Sequence, residues 1–136
     1  MLAMANFALS MAMLSLILVI QLVHYPSFDF YAEATFTHGM QTHQRRISFI
    51  VIPLMLTEAI VALTMAVQHP SALTWLTLAL LSAVWLLTLK LQVPLHQQLL
   101  AGKDAARVRL LVKGNWWRVG AWALKAVLAT MLVISQ

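Results

Sequence analysis

Two opposite charges, Glu58 and Lys125, stand inside runs that otherwise carry none: "LMLTEAIVAL" around the first and "GAWALKAVLA" around the second. An ionisable side chain among such neighbours is costly unless it is paired or hydrated. Three chemistries fit the two residues: a structural ion pair that fixes helix register, a proton- or ligand-binding centre, or no meeting at all. In the last case Lys125 snorkels to an interface and Glu58 is protonated. Upstream of Lys125, the residues Asn115, Arg118, Trp122 and Lys125 are spaced three, four and three apart, which is one face of a helix. A face of that composition is expected to look inward, with Arg118 nearer one mouth and Lys125 deeper.

Histidines form a second set. His24, His43 and His96 each stand at the end of an apolar segment, and Asn115 with Arg118 opens the last one. Neutral imidazoles brought from separate helices to one level are candidate ligands for Zn, Cu or Fe, or for a haem held from both sides. The same groups suit a polar pocket for an organic ligand, a lipid headgroup or a quinone, or simple hydrogen bonding to loop backbones. No paired local ligands or H-E-x-x-H spacing supports a metal specifically. His38 is a further candidate, whereas His69 reads as a surface histidine.

The elements that must position these residues are transmembrane helices. The chain is 62% hydrophobic and only 10% charged, well outside the range of soluble domains. It has no cysteine, which excludes disulfides, thiolate metal sites and cysteine nucleophiles. Four apolar runs, roughly 2–23, 47–67, 73–93 and 116–134, each match the ~20 residues that cross a bilayer as a helix. The first lacks a basic leader and a small-residue cleavage site, so it reads as a retained span. Glu58 lies about 16 Å beyond Ile47, and Lys125 about 13 Å beyond Trp116, at 1.5 Å per residue. These two spans start on the same side, so the charges share a depth and are expected to face one another.

The net charge of +5 is the balance of nine Lys and Arg residues against four Asp and Glu. Arg45 and Arg46 lie in the first loop. Lys103, Arg107, Arg109 and Lys113 lie in the third, with Lys90 and Arg118 at its edges. This asymmetry places loops one and three in the cytoplasm and both termini outside; it argues against nucleic acid as a partner. Loop one carries Phe28, Ala32, Phe36, Met40 and His43 at helical spacing, with Ser27 or Asp29 as a cap, which predicts an interfacial helix or a downward extension of the second span. In loop three Asp104 can cap a helix whose Val108, Leu111 and Val112 face lipid, while Arg107, Arg109 and Lys113 face phosphates. "QHPSA", residues 68–72, is a short turn. Pro53 removes a backbone bond to the carbonyl of Phe49 and predicts a kink. Trp116 and Trp117 suit the aromatic belt. Gln21 and His24, three apart before Pro26, can both face the bundle.

The pieces "VHYPSF", "HQRRI", "PLMLTE", "VPLHQQLLAG" and "NWWRVGAWALK" together resemble a family of small, uncharacterised bacterial four-span membrane proteins. The resemblance covers most of the chain apart from the outer ends. It implies an inner-membrane location and an equivalent role for His24, Tyr25, Pro26, His43, Arg46, Pro53, Glu58, Pro94, His96, Asn115, Trp116, Arg118, Trp122 and Lys125. It brings no activity with it. Family members carry another histidine near position 40, where this sequence has Met40. More distantly, "VP" and the N-x-x-R of Asn115 and Arg118 resemble anthrone-oxygenase-like membrane proteins, which implies cofactor-independent oxygenation.

The expected fold is therefore an all-α, up-down-up-down four-helix transmembrane bundle with short cytoplasmic helical segments, forming a single domain over residues 1–136. The first functional expectation is a polar pocket at the cytoplasmic side that binds a small amphiphilic ligand or cofactor, with redox or oxygenase chemistry as an extension. Its ligand-binding candidates are His24, Tyr25, His43, Glu58, His96, Asn115, Arg118, Trp122 and Lys125, with Glu58 and Lys125 as the floor. His24, His43 and His96 are the metal candidates. The alternative is a non-catalytic accessory subunit of a larger membrane complex, or a homo-oligomer, whose polar residues only lock the bundle. A transporter fits less well, because four short spans leave little room for alternating access.

Overall fold

The computed structural model describes residues 1–135 of the chain. Four long helices account for nearly all of it: α1 (Leu2–Phe30), α2 (Glu33–Gln68), α3 (Ala72–Leu99) and α4 (Ala105–Ile134). Each is long and apolar enough to cross a membrane. Among the described residues there is no strand. Helix α4 packs most extensively on α1 and then on α3, and α2 closes the ring against α1 and α3. This is the expected up-down-up-down bundle. Its outer surface is apolar, with Phe49, Ile60, Val67, Trp117 and Val127 all more than half exposed, as suits side chains that have lipid for solvent.

The helical segments expected in loops one and three exist, but as continuations of the spans. Helix α2 starts at Glu33, and Phe36 and Met40 are buried against Phe28 of α1 in the core. Neither Ser27 nor Asp29 caps it: the N-cap is Ala32, without a side-chain bond, and the Ser27 hydroxyl donates to the His24 carbonyl. Asp104 does cap α4, accepting from the backbone N–H groups of Ala106 and Arg107 at 2.9 and 3.1 Å. The Arg107 backbone N–H leads, with Ala106 and nearby guanidinium groups, in holding this carboxyl below its ordinary value. Val108 and Leu111 do not face lipid as expected. Both are buried in the bundle, because α4 runs straight into its span instead of lying along the interface.

Short connections join the helices. Lys103 donates to the carbonyls of Asp29 and Tyr31 at 3.2 and 2.9 Å, so a loop-three cation closes the C-terminal end of α1. Gly102, with φ 148°, makes the turn between α3 and α4 in a conformation that side chains disfavour. At the opposite end, Ser71 caps α3 in a reciprocal pair with Thr74, and His69 is exposed. Helix α2 continues through Pro53.

Two π turns interrupt the regular helices, at Ile20–His24 in α1 and Thr88–Gln92 in α3. Each closes with a backbone bond spanning five residues, from Tyr25 to Ile20 and from Val93 to Thr88. In each case a proline, Pro26 or Pro94, stands two residues beyond the end of the turn. A proline ring strains against the preceding helical turn and removes one donor; a widened turn relieves the crowding and adds one residue to the local period. That extra residue rotates everything beyond it. In α1 the core face passes from Ile17 through Ile20 and Gln21 to Tyr25 and Phe28, all buried, while His24 is turned outward and exposed. The expectation that Gln21 and His24 share the bundle face therefore holds for Gln21 alone. In α3 the same shift buries Gln92 and Leu99.

Candidate functional site

The inward polar side chains collect in two layers. The deeper one is centred on Lys125, which is fully buried. Its ammonium donates to Glu58 Oε1 at 2.9 Å, Ser10 Oγ at 2.7 Å and Asn6 Oδ1 at 3.1 Å. Three donors thus meet three acceptors. The second Glu58 oxygen accepts from the Trp122 indole at 3.2 Å, and Ser10 returns its own proton to the Asn6 carbonyl at 2.7 Å. Lys125, Glu58, Asn6, Ser10 and Trp122 are each 0% exposed. The two opposite charges meet at one depth, as their positions along the spans predict.

The second layer lies toward the basic end of the bundle. Asn115 of α4 donates to Gln21 Oε1 at 2.8 Å and accepts from Arg118 Nη1 at 3.0 Å. The Arg118 guanidinium also stands 5.3 Å from the centre of the Trp122 ring, within cation–π range. Trp122 therefore separates the layers: its face carries Arg118 and its N–H holds Glu58. Across the bundle, Tyr25 donates to Gln92 Oε1 at 3.1 Å, and the Gln92 amide reaches the Leu111 carbonyl at 3.4 Å. That reach depends on a close approach of α3 and α4. A Cβ added at Gly114 would meet Leu91 at 2.7 Å and Gln92 at 3.0 Å.

The histidines flank this layer. His96 Nδ1 is 2.8 Å from the Gln92 carbonyl. A carbonyl carries no proton, so Nδ1 is the protonated nitrogen and Nε2 of the neutral ring is an acceptor. The His43 and His96 rings stack with centroids 6.1 Å apart, and His24 lies 5.4 Å from His43 on its other side. Tyr25 and Phe28 approach His43 at 6.4 and 5.3 Å. Among the described residues no group of three or more His, Asp or Glu side chains is arranged to hold a metal ion. Met40 is buried within the core.

Two cavities meet at His43. One, about 320 Å³, lies between α1 and α2 and is lined by His24, Phe28, Tyr31, His43 and Arg46 among others. The other, about 210 Å³, is bounded by Ile20 and Tyr25 of α1, His43 to Val51 of α2, Thr88 to Gln97 of α3, and Arg118 of α4. Its buried members are Ile20, Tyr25, Gln92 and Arg118. The floor is thus made of Tyr25, Gln92 and Arg118. Glu58 and Lys125, expected there, do not line it; they are sealed on the far side of Trp122. Asn115 and Trp122 hold Arg118 in place without lining the cavity themselves.

Comparison of the chain with protein-family models, curated proteins and solved structures finds no match.

The nine ligand-binding candidates divide accordingly. Tyr25, His43, His96 and Arg118 share one cavity, and His24 lines the neighbouring one. Asn115 and Trp122 support Arg118. Glu58 and Lys125 belong to the sealed layer. Asn6, Ser10, Gln92 and Gln44 were not among the candidates. Gln44 donates to the His96 carbonyl at 2.9 Å and ties α2 to α3 at the cavity rim. The available signal for Asn6 and Ser10 was their four-residue spacing in an otherwise apolar span. For Gln92 it was a glutamine two residues before a proline.

Proposed function

We propose that the chain is a multi-pass protein of a bacterial inner membrane, with its basic end in the cytoplasm and both termini outside. On this reading the cavity between α2 and α3 binds a small amphiphilic ligand. The orientation rests on the Lys and Arg residues of loops one and three and on the absence of Lys and Arg from the 68–72 turn. The binding role rests on one observation: side chains from all four helices converge on a cavity of about 210 Å³ whose floor carries buried hydrogen-bonding groups. Binding sites commonly combine apolar walls with a few fixed polar groups. Here Ile20, Ile47, Val51 and Val93 supply the walls, and Tyr25, Gln92, His96 and Arg118 supply the polar groups.

Native mass spectrometry of the protein released from a mild detergent tests this. A small-molecule adduct is expected on the wild-type chain and absent from Val51→Trp, which fills the cavity mouth. A bare chain, or a chain recovered with a stoichiometric second polypeptide and indifferent to Val51→Trp, supports the accessory-subunit reading instead.

A further inference from the structure

Arg118 is the one strong charge on the cavity floor, and its charge is not balanced by the protein. The residue is 5% exposed. Its recorded partners, the Asn115 amide oxygen and the Trp122 ring, are both neutral, and its Nε is buried without an acceptor. The chain has four acidic side chains. Asp29 and Glu33 are exposed, Asp104 caps α4, and Glu58 is taken by Lys125. No carboxylate among the described residues is left to stand against Arg118. A buried cation in low dielectric is costly until an anion joins it, and a guanidinium is the side chain whose paired N–H donors match a carboxylate.

The cavity also has a direction. Its buried members are Ile20 and Tyr25 of α1, Gln92 of α3 and Arg118 of α4, whereas Ile47, Ser48, Val51 and Thr88 on α2 and α3 are half-buried and Val93 is 39% exposed. The mouth therefore lies between α2 and α3. Ile47 to Val51 covers about 6 Å of helix at the start of the second apolar run, so this mouth faces the edge of the hydrocarbon layer sideways. The volume, below the ~300–1,000 Å³ usual for a drug-sized ligand, takes a head group and the first few carbons only. The remaining chain would lie outside, against Ile47, Val51 and Val93.

Resting on the binding role above, we infer that the ligand is a membrane-dissolved amphiphilic acid that enters between α2 and α3, its carboxylate head on Arg118 and its apolar chain left in the bilayer. Tyr25, held by Gln92, and His96, held by the Gln92 carbonyl, shape the space around that head.

The test uses the full chain in nanodiscs of zwitterionic lipid, with brominated dodecanoic acid, brominated dodecanol and a brominated dodecyl ammonium as probes. Native mass spectrometry of the chain released from the nanodiscs counts bound probe by its bromine isotope pattern. Wild type is expected to bind the acid at least about tenfold more tightly than the alcohol, and the ammonium most weakly; each tenfold step is well within what one charge contact supplies. Arg118→Gln should bring acid and alcohol to within about twofold of each other. If that variant fails to fold, the acid-to-alcohol ratio on wild type still tests the charge, and Val51→Trp, which keeps Arg118, should abolish saturable binding of the acid. Equal binding of acid and alcohol to wild type overturns the anionic head and leaves the pocket standing. Saturable binding of none of the three probes overturns both. Acid binding indifferent to Val51→Trp overturns the lateral entry.

Discussion

The two polar layers are built from the same kinds of residue and have opposite characters. Each centres on a cation of α4, Lys125 or Arg118, seven residues apart on one helix face. Lys125 has three oxygen partners, one of them a carboxylate. Arg118 has an amide oxygen, an aromatic face and an unpartnered Nε. The lower layer is sealed and its charges are paired, with only the neutral Asn6 Nδ2 left unpartnered; the upper one holds an unpaired charge next to a cavity. A buried ion pair with every proton used is a structural device, because nothing further can bind without breaking it. A buried cation lacking its counter-charge is incomplete, which is what a binding site needs to be. Burial does not separate the two, since each cation is at most 5% exposed; the presence or absence of a counter-charge does.

The largest expected effect lies in the charge-paired layer. Lys125→Met leaves the Glu58 carboxylate buried without a counter-charge, facing only the Trp122 indole at 3.2 Å and the Ser10 hydroxyl at 3.5 Å, and should destabilise the protein by about 3–5 kcal/mol. Thermal or denaturant unfolding in detergent measures it. Combining it with Glu58→Gln should cost clearly less than the sum of the two single changes. Additive losses would break the pairing and, with it, the contrast between the layers. Ser10→Ala comes next. It takes one acceptor from the ammonium and should cost about 1–2 kcal/mol, with no change in ligand affinity. A loss of affinity would show that the layers are not separate after all.

How much of this the sequence disclosed depended on how each residue betrays itself. Glu58 and Lys125 were legible because a charge in an apolar run is costly, and because depth along a helix is a count of residues. The inward face of Asn115, Arg118, Trp122 and Lys125 was legible because α4 is regular from end to end. All four are buried. Asn6 and Ser10 were not, since small polar residues are ordinary in membrane helices and carry little energetic signal. The most informative miss is at α1. A 3.6-residue period turns His24 toward the bundle, and the π turn before Pro26 turns it away and puts Tyr25 in its place. The histidine layer was therefore found in part: His43 and His96 reach the cavity of Arg118, and His24 reaches the neighbouring cavity. Periodicity arguments fail where a proline makes the helix widen, and both wide turns here end two residues before one.

Tyr25→Phe sharpens the comparison on the side of the open layer. The change removes the 3.1 Å bond to Gln92 while leaving the ring packed against Phe28. A hydrogen bond between membrane helices is worth about 0.6 kcal/mol on average, so the unfolding midpoint should fall only slightly. Ligand affinity should fall by more than stability does, because a freed Gln92 no longer fixes that part of the floor. If stability falls by several kcal/mol and affinity is untouched, Tyr25 belongs with the sealed layer.

The smallest expected change in stability is the one that separates the layers most sharply. Arg118→Met removes a buried charge of the same sign as Lys125, from the same helix face, one layer away. If both cations were structural, both substitutions would destabilise. Lys125 has a carboxylate to abandon, and Arg118 has none. Replacing it with an apolar chain of similar length removes an uncompensated desolvation cost, at the expense of one bond to Asn115 and the contact with Trp122. These opposing terms should leave the ligand-free protein unchanged or raise its unfolding temperature, as replacement of buried ionic groups by well-packed apolar ones often does. The added stability that a bound acid confers on wild type, which grows with the logarithm of its concentration, should vanish. A drop in ligand-free stability comparable to that of Lys125→Met would mean that the Asn115 and Trp122 contacts already complete Arg118, and that the upper layer is as closed as the lower.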